Sequence, residues 1–300
     1  QLAAGTITAG GTLGILIPPS IMLVVMGPIL NVPVTDLFAA AIMPGLMLAA
    51  LYTGYTLIRC HLNPSLGPVV PEDLIPDSMR EVWVEFFKGL VPPVLLVGSS
   101  LGSILAGLAT PTEGAAMGAV GSIFLTLAYR KLNFKVFQEA LLKTLEITTL
   151  IMVLVCASNF FGSVFSRLGT PTMITEALML LDLPPTAILL IVMALIFLLA
   201  WPLEWVPIVL IIIPIVLPLI EQLGFNLIWF GILVAVNLQT AWLSPPVALS
   251  AYFLKGVAPD WDLSDIYKGM MQFMAIQVVG LALIIIFPQI VLWLPEYLYG

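Results

Sequence analysis

Residues 9–20 read Ala-Gly-Gly-Thr-Leu-Gly-Ile-Leu-Ile-Pro-Pro-Ser and stand inside an otherwise apolar segment. A proline within a helix removes one backbone donor and clashes with the carbonyl one turn earlier. Two successive prolines after three glycines therefore predict that the helix unwinds between Gly11 and Pro19. Unpaired carbonyls are too costly in hydrocarbon unless they line a cavity or bind a cation. This stretch predicts a broken transmembrane helix with exposed backbone oxygens.

The composition of the whole chain places that broken helix in a membrane. Of 300 residues, 61% are hydrophobic and 9% are charged, whereas soluble domains carry about 25% charged residues. Several apolar runs reach the length of about 20 residues that a bilayer requires, such as 90–109, 145–168 and 270–294. The net charge of -7 argues against nucleic acid as a partner. The sequence predicts an all-α polytopic membrane protein.

A second block repeats the proline pair near the other end of the chain. Residues 241–247 read Ala-Trp-Leu-Ser-Pro-Pro-Val and align with Gly14–Ser20 through the double prolines. Each pair is followed by a short Thr-Asp or Ser-Asp motif that leads into a long apolar helix. Amide and hydroxyl side chains precede the second pair and suit Na⁺, namely Asn237, Gln239, Thr240 and Ser244. A proline kink repaired by neighbouring helices is the alternative at either position.

The basic residues give the two blocks opposite directions. Nine of the ten Lys and Arg residues fall on one side of the predicted bundle, and only Arg167 falls on the other. Because positive loops stay in the cytoplasm, the first block runs outward, the second runs inward, and the C-terminus is periplasmic. Inverted repeats with broken helices are typical of secondary transporters. The predicted location is the inner membrane of a bacterium or archaeon.

Two short apolar runs, 184–200 and 207–220, predict a re-entrant hairpin. Their 17 and 14 residues span about 25 and 21 Å, less than the bilayer core of about 30 Å. The tip at 201–207 carries Glu204 between two tryptophans. A hairpin that enters from outside, with its tip near the midplane, fits best. An ordinary two-helix hairpin with its loop at the inner surface is the alternative.

These elements suggest a division into four parts. Residues 1–36 hold the broken helix of the first repeat, and residues 184–254 hold the hairpin and broken helix of the second. Together these are expected to form a transport domain. Residues 37–183 are expected to form the scaffold and connecting helices, and residues 255–300 a C-terminal transmembrane helix.

At this point the motifs identify a family by resemblance. Ala9–Ser20 closely resembles the signature of the large membrane subunit of TRAP (tripartite ATP-independent periplasmic) transporters. Thr110-Pro111-Thr112-Glu113-Gly114-Ala115 resembles the mid-chain motif of that family, and Asn237-Leu238 with Ser244-Pro245-Pro246 resembles its C-terminal one. The resemblance covers essentially the whole chain, as the C-terminal two-thirds of such a subunit. The segment of the first hairpin is not in the chain.

The resemblance implies Na⁺-coupled uptake of a small organic anion by an elevator-like movement. It also implies a small membrane subunit and a periplasmic solute-binding protein as partners. With the residue pattern, it leads us to expect cation-binding groups at Gly11, Thr12, Gly14, Asn237, Gln239, Thr240 and Ser244. The residues expected to bind substrate are Pro18, Pro19, Ser20, Glu204, Pro245 and Pro246. Trp242 and Ser244 depart from the Gly-Leu-x-Thr-Pro-Pro pattern common in the family, which bears on substrate identity.

The sequence also bears on functions other than this one. A similar symporter that needs no binding protein is the main alternative. An intramembrane enzyme would need paired aspartates or a His-Glu motif within the apolar runs, and the sequence has neither. With a single histidine and two distant cysteines, no transition-metal site is expected.

Overall fold

The computed structural model of the protein describes residues 1–68, 78–245 and 248–300, and over these residues the chain is helical. Its α-helices in the first half are α1 Leu2–Leu16, α2 Ile21–Leu30, α3 Val34–Leu62, α4 Met79–Leu105, α5 Pro111–Ala128 and α6 Phe134–Arg167. Those in the second half are α7 Thr170–Met179, α8 Pro185–Ala200, α9 Trp205–Pro207, α10 Ile213–Gln222, α11 Leu227–Leu243, α12 Leu249–Val257, α13 Leu263–Ile286 and α14 Gln289–Tyr299. No strand occurs in the described ranges, which confirms the all-α prediction.

The helix lengths and apolar character confirm a polytopic membrane protein. Within the described part of the chain, five helical segments are long and apolar enough to cross a bilayer. A sixth span is formed if α1 and α2, which meet at a bend of 43°, count as one broken span. Helices α8 and α11 are apolar but shorter. The second arm of the predicted hairpin, Trp205–Gln222, has 18 residues and reaches about 27 Å, so the depth of the hairpin stays a prediction.

The first of two compact units comprises residues 1–56 and 149–300. Helix α11 lies at its centre and packs against α1, α2, α8 and α13. Helices α1 and α13 cross at two glycines, Gly5 and Gly269, where the backbones approach closely. A Cβ atom added at Gly269 would lie 2.1 Å from the carbonyl oxygen of Gln1. Small residues at such crossings are what membrane helices use to pack closely.

The second unit comprises residues 57–148, and its core is the pair of helices α4 and α5. The Ser100 hydroxyl of α4 donates to the carbonyl of Gly114 in α5 at 2.6 Å. Helix α5 begins with a capping box in which the Thr110 hydroxyl and the Glu113 carboxylate accept reciprocal backbone N–H bonds. The N-cap of α5 is therefore Thr110. The division into transport and scaffold domains stays a prediction.

Candidate functional site

The first helix break lies between α1 and α2. Helix α1 ends at Leu16, Ile17 is extended, the Pro18–Pro19 peptide bond is cis, and α2 begins immediately after Ser20. The Ser20 hydroxyl donates to the carbonyl of Ile15 and accepts the N–H of Leu23 at 3.4 Å. Ser20 and Pro18 are buried, whereas Pro19 is exposed. The serine that the sequence assigned to substrate therefore also holds the break in shape.

Gly14 presents an unpaired backbone oxygen at this break. Because Pro18 has no N–H, the Gly14 carbonyl loses its helical donor, and Ile17 donates to Leu13 instead. No hydrogen bond reaches the Gly14 oxygen from the described residues. Gly11 and Gly14 are exposed, and a Cβ atom at either would have nothing within 4 Å.

The sequence predicted unwinding from Gly11 onward, but the helix continues to Leu16. A glycine costs a helix only about 1 kcal/mol relative to alanine. Each backbone group left unpaired in hydrocarbon costs several kcal/mol. The glycines therefore stay helical, and only the proline pair ends the helix.

The second helix break follows α11, of which most residues are buried. The helix ends at Leu243, and Ser244 is extended. Pro245 has no N–H to give to the carbonyl of Ala241, four residues earlier, and no other described group donates to that oxygen. Pro246 lies outside the described residues, and α12 begins after Ala248, which has a left-handed backbone with φ of 30°.

Asn237 is the most informative residue of the second break because one of its polar atoms is unpaired. Its side chain is 1% exposed, and its Nδ2 donates to the carbonyl of Met193 in α8 at 2.8 Å. Its Oδ1 is buried without a partner among the described residues. A buried acceptor left unpaired is costly, so this oxygen marks a place for a ligand.

Thr240 and Ser244 are buried on the same face of α11 as Asn237, at spacings of three and seven residues. The Thr240 hydroxyl donates to the carbonyl of Asn237 at 2.6 Å. The Ser244 hydroxyl donates to the carbonyl of Thr240 at 2.6 Å and lies 3.1 Å from the sulfur of Met274. Each hydroxyl oxygen keeps lone pairs as an acceptor, so this face of α11 offers several oxygen ligands.

Gln239 belongs to a different set of contacts. Its Oε1 accepts from the Nε2 of Gln277 in α13 at 2.7 Å, and the same Nε2 donates to the carbonyl of Val236 at 2.8 Å. The Oε1 of Gln277 accepts from the Tyr52 hydroxyl at 3.2 Å, and Tyr52 also interacts with the Thr12 side chain. Buried polar groups thus connect α1, α3, α13 and α11.

Sequence reasoning missed Gln277 and Tyr52. Gln277 is fully buried in the middle of a long apolar helix, which is itself a signal that an amide has a partner. Thr12, assigned to the cation by sequence, has a hydroxyl that donates to the carbonyl of Ala9 at 2.8 Å. The structure joins Thr12 to Gln239 through these two residues rather than to the oxygen face of α11.

The hairpin tip lies next to helices that pack against α11. Helices α8 and α9 both pack against α11, and between them Glu204 is half-buried at the start of α9. Within the described ranges its carboxylate has no hydrogen bond or ion pair. A π-helical turn follows at Ile208–Ile212, an irregularity that is frequent at functional sites. Among all the residues that the structure describes, no group of three or more His, Cys, Asp or Glu side chains could hold a metal ion.

A cavity of about 310 Å³ lies between the middle of α1, the end of α11 and α12. Gly11 of α1 lines it on one side, and Trp242 at the end of α11 lines it on another. The Trp242 ring stacks on Phe253 of α12 with ring centroids 6.3 Å apart. Its indole Nε1–H has no acceptor among the described residues. Trp242, which departs from the family pattern, therefore forms part of the cavity wall and has an unused N–H donor.

Comparison with known proteins decides the family. The model of the DctM component of the tripartite ATP-independent periplasmic transporters matches residues 1–290. The chain belongs to the DctM family. This DctM-family chain is 28% identical to the sialic acid TRAP transporter large permease protein SiaM of Vibrio cholerae, with 100% of this chain and 69% of that protein aligned.

Two further relatives show what share of a TRAP permease this DctM-family chain covers. It is 30% identical to the C4-dicarboxylate TRAP transporter large permease protein DctM of Pseudomonas aeruginosa, over 98% of the chain and 67% of that protein. The sialic acid TRAP transporter permease protein SiaT of Haemophilus influenzae is 26% identical over 99% of the chain. The chain spans about half of SiaT, 47% of its length.

Proposed function

We propose that this chain is the transporting part of a Na⁺-coupled symporter that takes up a small organic anion. The observation that carries the proposal is the buried, unpaired Asn237 Oδ1 at a proline-broken helix end. Family membership supports the substrate class, because relatives are named for sialic acid, C4-dicarboxylates and 2,3-diketo-L-gulonate. These compounds are carboxylates. The membrane would be the cytoplasmic (inner) membrane of a bacterium or archaeon, with the C-terminus in the periplasm.

The coupling ion would bind at the second break. Na⁺ is held in such transporters by helix-end carbonyls and nearby oxygen ligands. Asn237 offers a free amide oxygen, Thr240 and Ser244 offer hydroxyl oxygens, and the Ala241 carbonyl has lost its helical donor. Gln239 does not fit this set, since its oxygen is taken by Gln277 and its unpaired atom is the donor Nε2.

A second cation would bind at the first break. The Gly14 carbonyl is exposed and unpaired there, so it is a candidate oxygen ligand. Gly11 would contribute open space rather than an oxygen, because its carbonyl lies within regular helix. Thr12 lies within α1 and would act through Tyr52 and Gln277, which connect it to Gln239 of α11.

The half-buried Glu204 gives the cycle an order. A carboxylate at the hairpin tip repels an organic anion, and this repulsion is strong where water is scarce. Binding of Na⁺ first would remove the repulsion, so the cation would precede the substrate. The proline pairs, Ser20 and Trp242 would then surround the anion. Packing of α1, α2, α11 and the hairpin into one group suits an elevator-like movement of that group.

The partners would be a small membrane subunit and a periplasmic solute-binding protein. The family description names a tripartite, periplasmic system, which supports both. The main alternative, a symporter that works without a binding protein, has the same membrane chemistry and differs in that one requirement.

Reconstitution of the complete transporter in proteoliposomes tests the proposal. Uptake of radiolabelled succinate or sialic acid would be followed with an inward Na⁺ gradient, with K⁺ in its place, and with or without the binding protein. We expect uptake only with Na⁺ and binding protein together. Equal uptake with K⁺ would refute Na⁺ coupling, and equal uptake without the binding protein would establish the alternative.

A further inference from the structure

A separate cavity of about 640 Å³ shares no lining residue with the two breaks. It lies between the end of α6, the start of α7 and the second arm of the hairpin. One side of its wall is polar and consists of Ser158, Asn159, Ser163, Ser166, Arg167 and Thr172. The opposite side is apolar and comes from the π-helical turn and α10. Its volume falls within the range of about 300–1,000 Å³ that small-molecule sites occupy.

The hydrogen-bonding capacity of this polar wall is largely unused. Ser158 is only 5% exposed, yet its hydroxyl has no partner among the described residues. The same holds for the side chains of Asn159, Ser166 and Thr172. Ser163 alone of these hydroxyls donates, to the carbonyl of Asn159 at 2.7 Å. Ser158 is a buried residue, whereas Asn159, Ser163, Ser166 and Thr172 are exposed on the cavity wall, so these polar groups are open to a ligand with several acceptors.

The charge of the cavity is positive. Arg167 is the one Lys or Arg between residues 144 and 254, and no acidic side chain lines the cavity. Within the described ranges the guanidinium has no ion pair or hydrogen bond. A positive charge at the C-terminus of α6 interacts favourably with the helix dipole, but this interaction uses none of the N–H donors of Arg167. A free guanidinium fork is the group best suited to bind a carboxylate through two parallel bonds.

The start of α7 adds to the positive electrostatic potential of the cavity. This ten-residue helix begins after Gly169, which has a φ of 71° and no side chain to cap the first N–H groups. Pro171 and Thr172 of its first turn line the cavity. The uncapped N–H groups and the helix dipole favour an anion at this end. The arginine, the hydroxyl side chains and the start of α7 therefore all line one cavity.

We propose that this cavity is an outer binding site for the carboxylate of the transported anion, occupied before the anion reaches the helix breaks. The proposal rests on the proposed function for the identity of its ligand. Arg167 is the one basic residue that the charge asymmetry places outside, so the cavity is positioned to receive an anion from the periplasmic side. An anionic lipid head group shares this chemistry, and the experiment excludes it by vesicle composition.

The test is protection of a single cysteine from labelling. Ser163→Cys is introduced with Cys60→Ser and Cys156→Ser, and the complete transporter is placed in phosphatidylcholine vesicles without anionic lipid. A membrane-impermeant maleimide is added outside in K⁺ medium without binding protein, with succinate or sialic acid as probe. Succinamide and the methyl ester of sialic acid are the neutral controls. We expect a carboxylate to slow labelling by about fivefold, as when most sites are occupied, and the neutral analogues to have no effect.

Substitution of the arginine gives the decisive comparison. Arg167→Gln should abolish the protection, Arg167→Lys should keep part of it, and the exposed Lys131→Gln should keep it all. Protection that persists in Arg167→Gln, protection by the neutral analogues, or none by either carboxylate would each overturn the proposal. A fall in binding-protein affinity with protection intact would assign Arg167 to protein docking and overturn it as well.

Uptake by the same vesicles separates this proposal from the function on which it rests. With Na⁺ and binding protein present, Arg167→Gln should raise the half-saturating anion concentration by about tenfold, the loss of about 1.4 kcal/mol of binding, while the maximal rate is retained. Wild-type uptake without protection would refute the outer site alone. Arg167-dependent protection without any Na⁺-driven uptake would leave the outer site standing and refute the proposed function.

Discussion

The two helix breaks share a motif but differ in their surroundings. In both, the first proline deprives the carbonyl four residues earlier of its donor, at Gly14 in one and Ala241 in the other. Gly14 is exposed with open space around it, whereas Ala241 is 3% exposed within a buried helix. The polar residue nearest the first break, Ser20, is used locally. At the second break, Asn237 keeps a buried oxygen unpaired.

Because of this difference, the two breaks would form cation sites in different ways. The second break is preformed, because packing on all sides holds its oxygens in place. The free energy needed to remove these oxygens from water is already spent when the protein folds. The first break is open, because its free carbonyl lies on an exposed face where an approaching group can complete it. Gln277 and Tyr52 connect Thr12 of α1 to Gln239 of α11, so a change at one of these two residues is expected to be felt at the other.

The largest expected effect comes from filling the open face of the first break. Gly14→Leu would place a bulky side chain where the backbone must approach an ion or a neighbouring segment, so transport should be lost, a decrease of about 100-fold or more, equivalent to about 2.7 kcal/mol. Folding should persist, because the position has no neighbour to clash with. Uptake in proteoliposomes and thermal unfolding in detergent measure the two properties. Gly54→Leu, at another open glycine away from either break, is the control, and normal transport by Gly14→Leu would refute a site there.

The next effect concerns the preformed break. Asn237→Ala removes the free oxygen and should raise the Na⁺ concentration for half-maximal uptake by about tenfold, or about 1.4 kcal/mol. Asn226→Ala on the same helix is the matched control, because it removes the α11 cap at a cost of about 1 kcal/mol and leaves the oxygen face intact. An equal shift in both variants would show that loss of helix stability, and not of a ligand, changes the Na⁺ dependence.

The sequence was sufficient to predict the all-α membrane fold and both breaks, since proline pairs act through local backbone chemistry. It also predicted that oxygen donors precede the second proline pair, at Asn237, Gln239, Thr240 and Ser244, although the Gln239 oxygen is taken by Gln277. It overestimated the unwinding at Gly11, because glycine propensity is weak against hydrogen bonding in hydrocarbon.

The partners of Gln239 could not be predicted from the sequence. Gln277 is 38 residues away, and its approach is decided by how α13 packs on α11. The polar cavity at Arg167 depends in the same way on the packing of α7 against α10. Both are tertiary features that leave no periodic signal in the chain.

A smaller effect is expected at the hairpin tip, between two helices that pack against α11. Leu203→Cys, with Cys60→Ser and Cys156→Ser, should react with an impermeant maleimide from outside. Na⁺ and substrate together should slow this reaction by about threefold, as expected when two thirds of the sites are occupied. Labelling only from the cytoplasmic side in every condition would show an ordinary spanning hairpin.

The smallest effect is expected from exchanging the residues that precede the two proline pairs. Gly14→Ala should stabilise α1 by up to about 1 kcal/mol, because alanine is the better helix former and its methyl group meets no neighbour. Ala241→Gly should destabilise the protein by about 1 kcal/mol for the converse reason. Unlike Gly14→Leu, the alanine variant should keep most of its transport, since a methyl group fills little of the open space at this position. Thermal unfolding and uptake of each variant test this, and a destabilised Gly14→Ala would show that the first break is as tightly enclosed as the second.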